Sequence, residues 1–190
     1  ALDTTAAGDI WDTFDGTTTG VAVKSSTSGA DILVYTLPSM VDGLSVAASY
    51  SAGGSAVNAT TAFGATYTGV EGLSVSYGVG EAGSTTVASS GDITTMKASY
   101  AIGSFTGAYS NTESDMGTGG TNEEMSSFKL SYTVSDDLSI SYGEETHETS
   151  GQTVDEEFDS ISVSYTTGGM TITAAQYNAT GLGNTSGTLG

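Results

Sequence analysis

No cysteine occurs anywhere in this chain, which removes disulfides and thiolate chemistry while permitting an oxidising compartment. Basic side chains are nearly as scarce: three Lys+Arg stand against 22 Asp+Glu, a formal net charge of -19. So acidic a chain has nothing with which to neutralise phosphates, and nucleic acid is excluded as a partner. No apolar run approaches the roughly 20 residues of a spanning helix, so any passage through a membrane must use strands. The opening residues Ala1-Leu2-Asp3 carry neither the charged region nor the apolar run of a secretory leader. Hydrophobic residues other than Gly make up 37% of the chain, and Gly adds 27 residues.

What is abundant is tyrosine in a fixed place. All ten tyrosines close short runs in which an apolar residue recurs at every second position. The runs end at Tyr35, Tyr50, Tyr67, Tyr77, Tyr100, Tyr109, Tyr132, Tyr142, Tyr165 and Tyr177. Leu73-Ser-Val-Ser-Tyr77 and Phe128-Lys-Leu-Ser-Tyr132 show the pattern. Period two predicts β-strands with one greasy and one polar face. An aromatic repeated at the edge of the greasy face suits a barrel wall where hydrocarbon meets headgroups. The solvent implied is lipid.

The spacing predicts strands over 31–37, 44–51, 61–68, 73–79, 93–102, 104–110, 125–134, 138–143, 160–167 and 169–177. Connections alternate in length: short at 38–43, 69–72, 103, 135–137 and 168, long at 52–60, 80–92, 111–124 and 144–159. Such sorting is expected of an antiparallel transmembrane β-barrel with tight turns on one rim and long loops on the other. Apart from Asp31, Lys97 and Lys129, every charged residue falls in a connection. Alternation puts Lys97 and Lys129 on the polar face. The other face, Leu33, Leu44, Val46, Leu73, Val75, Leu138, Ile140, Ile161 and Val163 among others, carries no charge. In the last strand Tyr177 falls out of phase with Met170, Ile172 and Ala174, and a bulge near Ala175 would restore it. An antiparallel sandwich shares the periodicity. Its opposite face would then be covered differently, because here that face is Ser, Thr, Gly and Ala, small and polar enough to line water.

The stretch Leu33-Val-Tyr-Thr-Leu-Pro-Ser-Met-Val-Asp-Gly-Leu-Ser-Val-Ala-Ala-Ser-Tyr50 resembles the general bacterial outer-membrane porin family. It is similar to the hairpin after the constriction loop: a strand ending in Tyr, a turn carrying Val-Asp-Gly-Leu, and a second strand closing on Tyr. The resemblance covers roughly the third to the eighth loop. It implies a 16-stranded all-β barrel in the outer membrane of a Gram-negative bacterium, usually a homotrimer, with lipid and lipopolysaccharide around it. On that alignment residues 1–30 are the constriction loop and 31–190 the barrel strands. Ending at Thr188-Leu189-Gly190 without a closing aromatic, the chain then reads as a stretch of a longer polypeptide.

The function so implied is passive diffusion of small hydrophilic solutes and ions through a water-filled pore, with cation preference expected from the charge balance. Candidate constriction residues are Asp3, Asp9, Asp12 and Asp15, with Trp11 and Phe14 as wedges, facing Lys24, Lys97 and Lys129. The acidic loops hold Glu113, Asp115, Glu123 and Glu124, then Glu144, Glu145, Glu148, Asp155, Glu156, Glu157 and Asp159. They match no calcium-site spacing, so weak Ca²⁺ or Mg²⁺ binding is the most they offer, and no cofactor is expected. His147, the single histidine, sits in Glu144-Glu-Thr-His-Glu148, read as a loop. Without a triad, phosphate loop, zinc cluster or nucleotide fingerprint, no enzyme is predicted. The competing function is a non-transporting surface adhesin or surface-layer β domain, which shares the Thr, Ser, Gly and acidic richness.

Overall fold

The computed structural model describes residues 32–38, 40–53, 58–82, 91–117, 119–184 and 188–189. The strands are β1 (Ile32–Thr36), β2 (Leu44–Ser51), β3 (Thr60–Tyr67), β4 (Leu73–Ala82), β5 (Gly91–Ile102) and β6 (Phe105–Met116). They continue as β7 (Glu123–Ser135), β8 (Leu138–Thr149), β9 (Glu156–Thr167), β10 (Met170–Thr180) and β11 (Thr188–Leu189), with a 3₁₀ turn at Leu182–Asn184. All eleven form one sheet in sequence order, every neighbouring pair antiparallel. This is a meander, the order that hairpin-by-hairpin pairing produces when every connection is too short for a crossover.

Turn chemistry explains the tightness of one rim. Val41-Asp-Gly-Leu44 and Val70-Glu-Gly-Leu73 are the same turn used twice. The amide of Leu44 donates to the Val41 carbonyl at 3.1 Å, and that of Leu73 to Val70 at 3.0 Å. Gly43 and Gly72 both sit at φ 75°, a left-handed conformation open chiefly to glycine. Their carbonyls in turn accept from Thr68 (2.7 Å) and Ala101 (2.8 Å), so each turn is fastened to the next hairpin.

The pairing separates two faces. One carries the row Leu73, Tyr100, Gly107, Leu130, Tyr142, Ile161 across β4 to β9. The other carries the parallel row Lys97, Ser110, Ser127, Glu145, Phe158 across β5 to β9. Burial is inverted relative to a protein in water. Ser110 is 0% and Ser127 2% exposed, whereas Leu130 is 43% and Ile140 38% exposed. The hydroxyl face is therefore the enclosed one. Its covered part includes Ile93, Thr95, Thr112, Met125, Phe158 and Ala179.

Three expectations are corrected. The segments 111–124 and 144–159, read as long loops, are mostly strand: β6 runs to Met116, β7 begins at Glu123, β8 runs to Thr149 and β9 begins at Glu156. Carboxylates hid the period, although Ser141, Gly143, Glu145 and His147 continue one face and Ile140, Tyr142 and Glu144 the other. His147 is thus a buried strand residue. Finally, the bulge near Ala175 is absent. The β9–β10 register runs unbroken from Met170 to Thr180, setting Gln176 against Ile161 and Tyr177 against Ser160. The ladder's irregularity lies instead between Thr133 and Ser135.

Candidate functional site

Hydroxyl side chains of neighbouring strands bond to one another along the enclosed face. Thr66 Oγ1 and Ser76 Oγ are 2.9 Å apart, Thr95 Oγ1 and Thr112 Oγ1 3.1 Å, and Ser141 Oγ and Ser162 Oγ 2.7 Å. Ser164 with Thr173 (3.3 Å) and Thr166 with Thr171 (2.9 Å) extend the pattern towards the short turns. These are cross-strand pairs, the unit by which a sheet is stabilised side by side. They leave a smooth wall of small polar groups, and where these are exposed they can exchange a partner for water or a solute hydroxyl.

Both strand lysines lie on this wall. Lys97 stands opposite Ser76 and Ser110, and Lys129 opposite Ala108 and Gly143. The row shared by Lys97, Ser110, Ser127, Glu145 and Phe158 is engaged at every one of its members. Ser127 Oγ donates to Glu145 Oε1 at 3.3 Å. Lys129, one row nearer the short turns, has no hydrogen-bond or ion-pair partner among the described residues and is half-buried.

Near the long-connection rim the wall becomes a packed interior. His147 Nδ1 donates to Glu156 Oε2 at 3.0 Å, and both side chains are almost fully buried. Glu156 Oε1 accepts the amide of Gly183 at 2.7 Å, which ties the 3₁₀ turn after β10 onto β9. The Nε2 of His147 has no hydrogen-bond partner among the described residues. Among the described residues, no three of His, Asp or Glu converge so as to hold a metal ion. Glu145 and Glu156 were not singled out as wall residues by the sequence pattern; the continued alternation of β8 and β9 was the signal for both.

The outer face changes character along each strand. Nine of the ten tyrosines lie on it; Tyr177 does not. On strands running towards the short turns, Tyr67, Tyr100, Tyr132 and Tyr165 stand close to the turn; on the returning strands Tyr77, Tyr109 and Tyr142 stand further up. Phe105 and Tyr132, directly opposed, have ring centroids 4.6 Å apart at 33°. Beyond the apolar band the same face turns acidic, with Glu113 opposite Glu124, Glu124 opposite Glu148, and Glu144 opposite Asp159. Amides and hydroxyls are set among these carboxylates. Asn111 Nδ2 donates to Glu124 (2.6 Å), Asn178 Nδ2 to Asp159 (2.9 Å), and the Tyr142 hydroxyl to Glu144. Like charges directly across a ladder are unfavourable in hydrocarbon and tolerable only in water. The band therefore ends where they begin.

Asp3, Asp9, Asp12, Asp15 and Lys24 lie outside the described residues, as does the whole segment 1–30. No curated protein sequence matches the chain. The Gram-negative porin family model matches residues 2–185, nearly the whole length. Together with the one-sheet antiparallel wall, that match makes the chain a member of the Gram-negative porin family, a β-barrel protein of the outer membrane.

Proposed function

We propose that the enclosed hydroxyl face lines a water-filled pore through which small hydrophilic solutes and ions diffuse passively, with cations preferred. The inverted burial carries this reading: Ser110 and Ser127 are enclosed while Leu130 and Ile140 face the surroundings. A sheet exposing Leu, Val, Ile and Tyr in such numbers leaves an apolar patch far larger than the few hundred Å² tolerated in water. Hydrocarbon removes that cost, and the sheet's other face then needs an aqueous space. Cation preference follows from a formal charge of -19 and from carboxylates on the strand extensions beyond the apolar band.

Residues 1–30 act as the constriction in this reading, with Asp3, Asp9, Asp12 and Asp15 opposite Lys24, Lys97 and Lys129. Its support is the resemblance of the hairpin that follows, Leu33 to Tyr50, to the hairpin after the family's constriction loop. A homotrimer embedded among lipid and lipopolysaccharide is the assembly that the family suggests. Reconstitution of the full-length protein in planar bilayers tests the function. Stepwise conductance with a reversal potential on the cation side of a salt gradient is expected. A detergent-independent, non-conducting protein would reject the pore, and an anion-side reversal potential would reject the selectivity alone.

A further inference from the structure

Resting on the pore reading, we propose that Lys129 and Tyr177 form a solute-binding step on the lumen wall for molecules that combine a carboxylate with a flat ring. The unbroken β9–β10 register puts Tyr177 on the enclosed face, where it occupies one row with Ser160, Gly143 and Lys129. Two small residues separate the cation from the ring. Three strand spacings place the Cα atoms of Lys129 and Tyr177 about 14 Å apart, with both side chains on the same face. The floor between them has almost no bulk, since Gly143 has no side chain and Ser160 a short one.

The chemistry of the two ends differs from the rest of the wall. Lys129 is an ammonium in a chain with 22 acidic residues, and among the described residues it has no ion-pair partner for a solute carboxylate to displace. Glu145, one row above on β8, is 1% exposed and accepts from Ser127, and therefore does not line the trough. On the other side Tyr177 is 37% exposed, while the other enclosed rings among the described residues, Phe158 and His147, are each 2% exposed. Tyr177 is thus the ring this face offers to a solute. Its flat surface suits stacking at ring separations of about 4.5–7 Å. Along the trough's lower edge Ser141 and Ser162 bond to each other at 2.7 Å and add hydroxyls for orientation.

Single-channel current in planar bilayers, recorded with full-length protein and added benzoate or acetate, tests the step. Benzoate is expected to reduce the current saturably, and acetate at equal concentration to do so at least several-fold less. Lys129→Gln should weaken the benzoate effect about fivefold, the scale of one solvent-accessible charge pair. Tyr177→Ala should bring benzoate down to the level of acetate, while Tyr177→Phe, which keeps the ring, should retain it. Equal occlusion by both anions, or a benzoate effect untouched by Tyr177→Ala in channels that still conduct, overturns the proposal and leaves the pore standing. Absence of conductance in the unmutated protein removes the pore reading itself.

Discussion

Glu156 bonds in two directions at once: Oε2 accepts from His147 Nδ1 at 3.0 Å and Oε1 from the Gly183 amide at 2.7 Å. One carboxylate so joins β8, β9 and the 3₁₀ turn at Leu182–Asn184. Both ring and carboxylate are out of water, at 2% and 4% side-chain exposure. Removing one partner of a buried pair strands the other, at a cost of about 1–3 kcal/mol. His147→Ala and Glu156→Gln should each lower the temperature at which the barrel loses its compact, fast-migrating form in detergent gels. Conductance steps should persist, since neither residue lies on the open part of the wall. Unaltered thermal migration of both variants would show that the pair contributes nothing.

Gly72 and Gly103 both have positive φ, 75° and 57°, but their surroundings differ. A Cβ on Gly72 would stand 2.3 Å from the Ala101 carbonyl oxygen, a backbone atom that cannot step aside; around Gly103 nothing lies within 4 Å. Gly72→Ala combines a strained dihedral with that collision, and should cost about 1–3 kcal/mol. Gly103→Asn should cost under about 1 kcal/mol, because Asn tolerates the left-handed region. Comparing the fraction of folded barrel after refolding into detergent distinguishes the two.

Leu130 and Ser131 are neighbours on β7 that face opposite ways, Leu130 opposite Tyr142 and Ser131 opposite Ser141. Leu130→Lys places an ammonium in the apolar band, at about 2–4 kcal/mol near its middle. Ser131→Lys places the same charge on the hydroxyl wall. Urea-dependent folding into lipid vesicles should therefore show a large loss for the first and a small one for the second. Equal losses would mean that the two faces do not meet different solvents.

Glu81 lies on the outer face one alternation beyond Val79, outside the apolar band. The Thr61 hydroxyl donates to its Oε2 at 2.8 Å, and the Thr61 amide does so at the same distance. These bonds favour the charged form and hold the carboxyl below the usual range, against a slight opposing effect of burial. A depressed folded-state value means that the contribution is present above the ordinary carboxylate range and lost as pH falls through the lowered value. Hydrogen exchange at the Thr61 amide should accelerate beyond the intrinsic pH trend on acidification, and Glu81→Gln should abolish that extra step. Exchange that follows the intrinsic trend alone would remove the link.

Ten strands were legible in the chain because alternation survives wherever apolar and small residues take turns. Leu73-Ser-Val-Ser-Tyr77 could be read directly as β4, and the wall position of Lys97 followed from its neighbours Met96 and Ala98. Alternation faded where the outer residue became Glu in place of Val or Leu. For that reason Glu144 to Thr149 looked like loop, although the backbone pairs there as regularly as lower down. Tyr177 misled for a different reason. Its type suggested the outer belt, whereas only the pairing of β10 with β9 decides its side. Tyrosine serves on either face, so identity alone could not decide.

Local chemistry in the chain by itself determined the strand class, the lipid-compatible face, the tight glycine turns and the absence of any spanning helix, because each depends on neighbours within a few residues. Register across strands decided the rest. Whether Tyr177 meets lipid or lumen, that His147 finds Glu156, and that Lys129 stands beside Gly143 are matters of which residues lie side by side in space. A slip of one position in pairing would reverse each of those faces without changing a single residue.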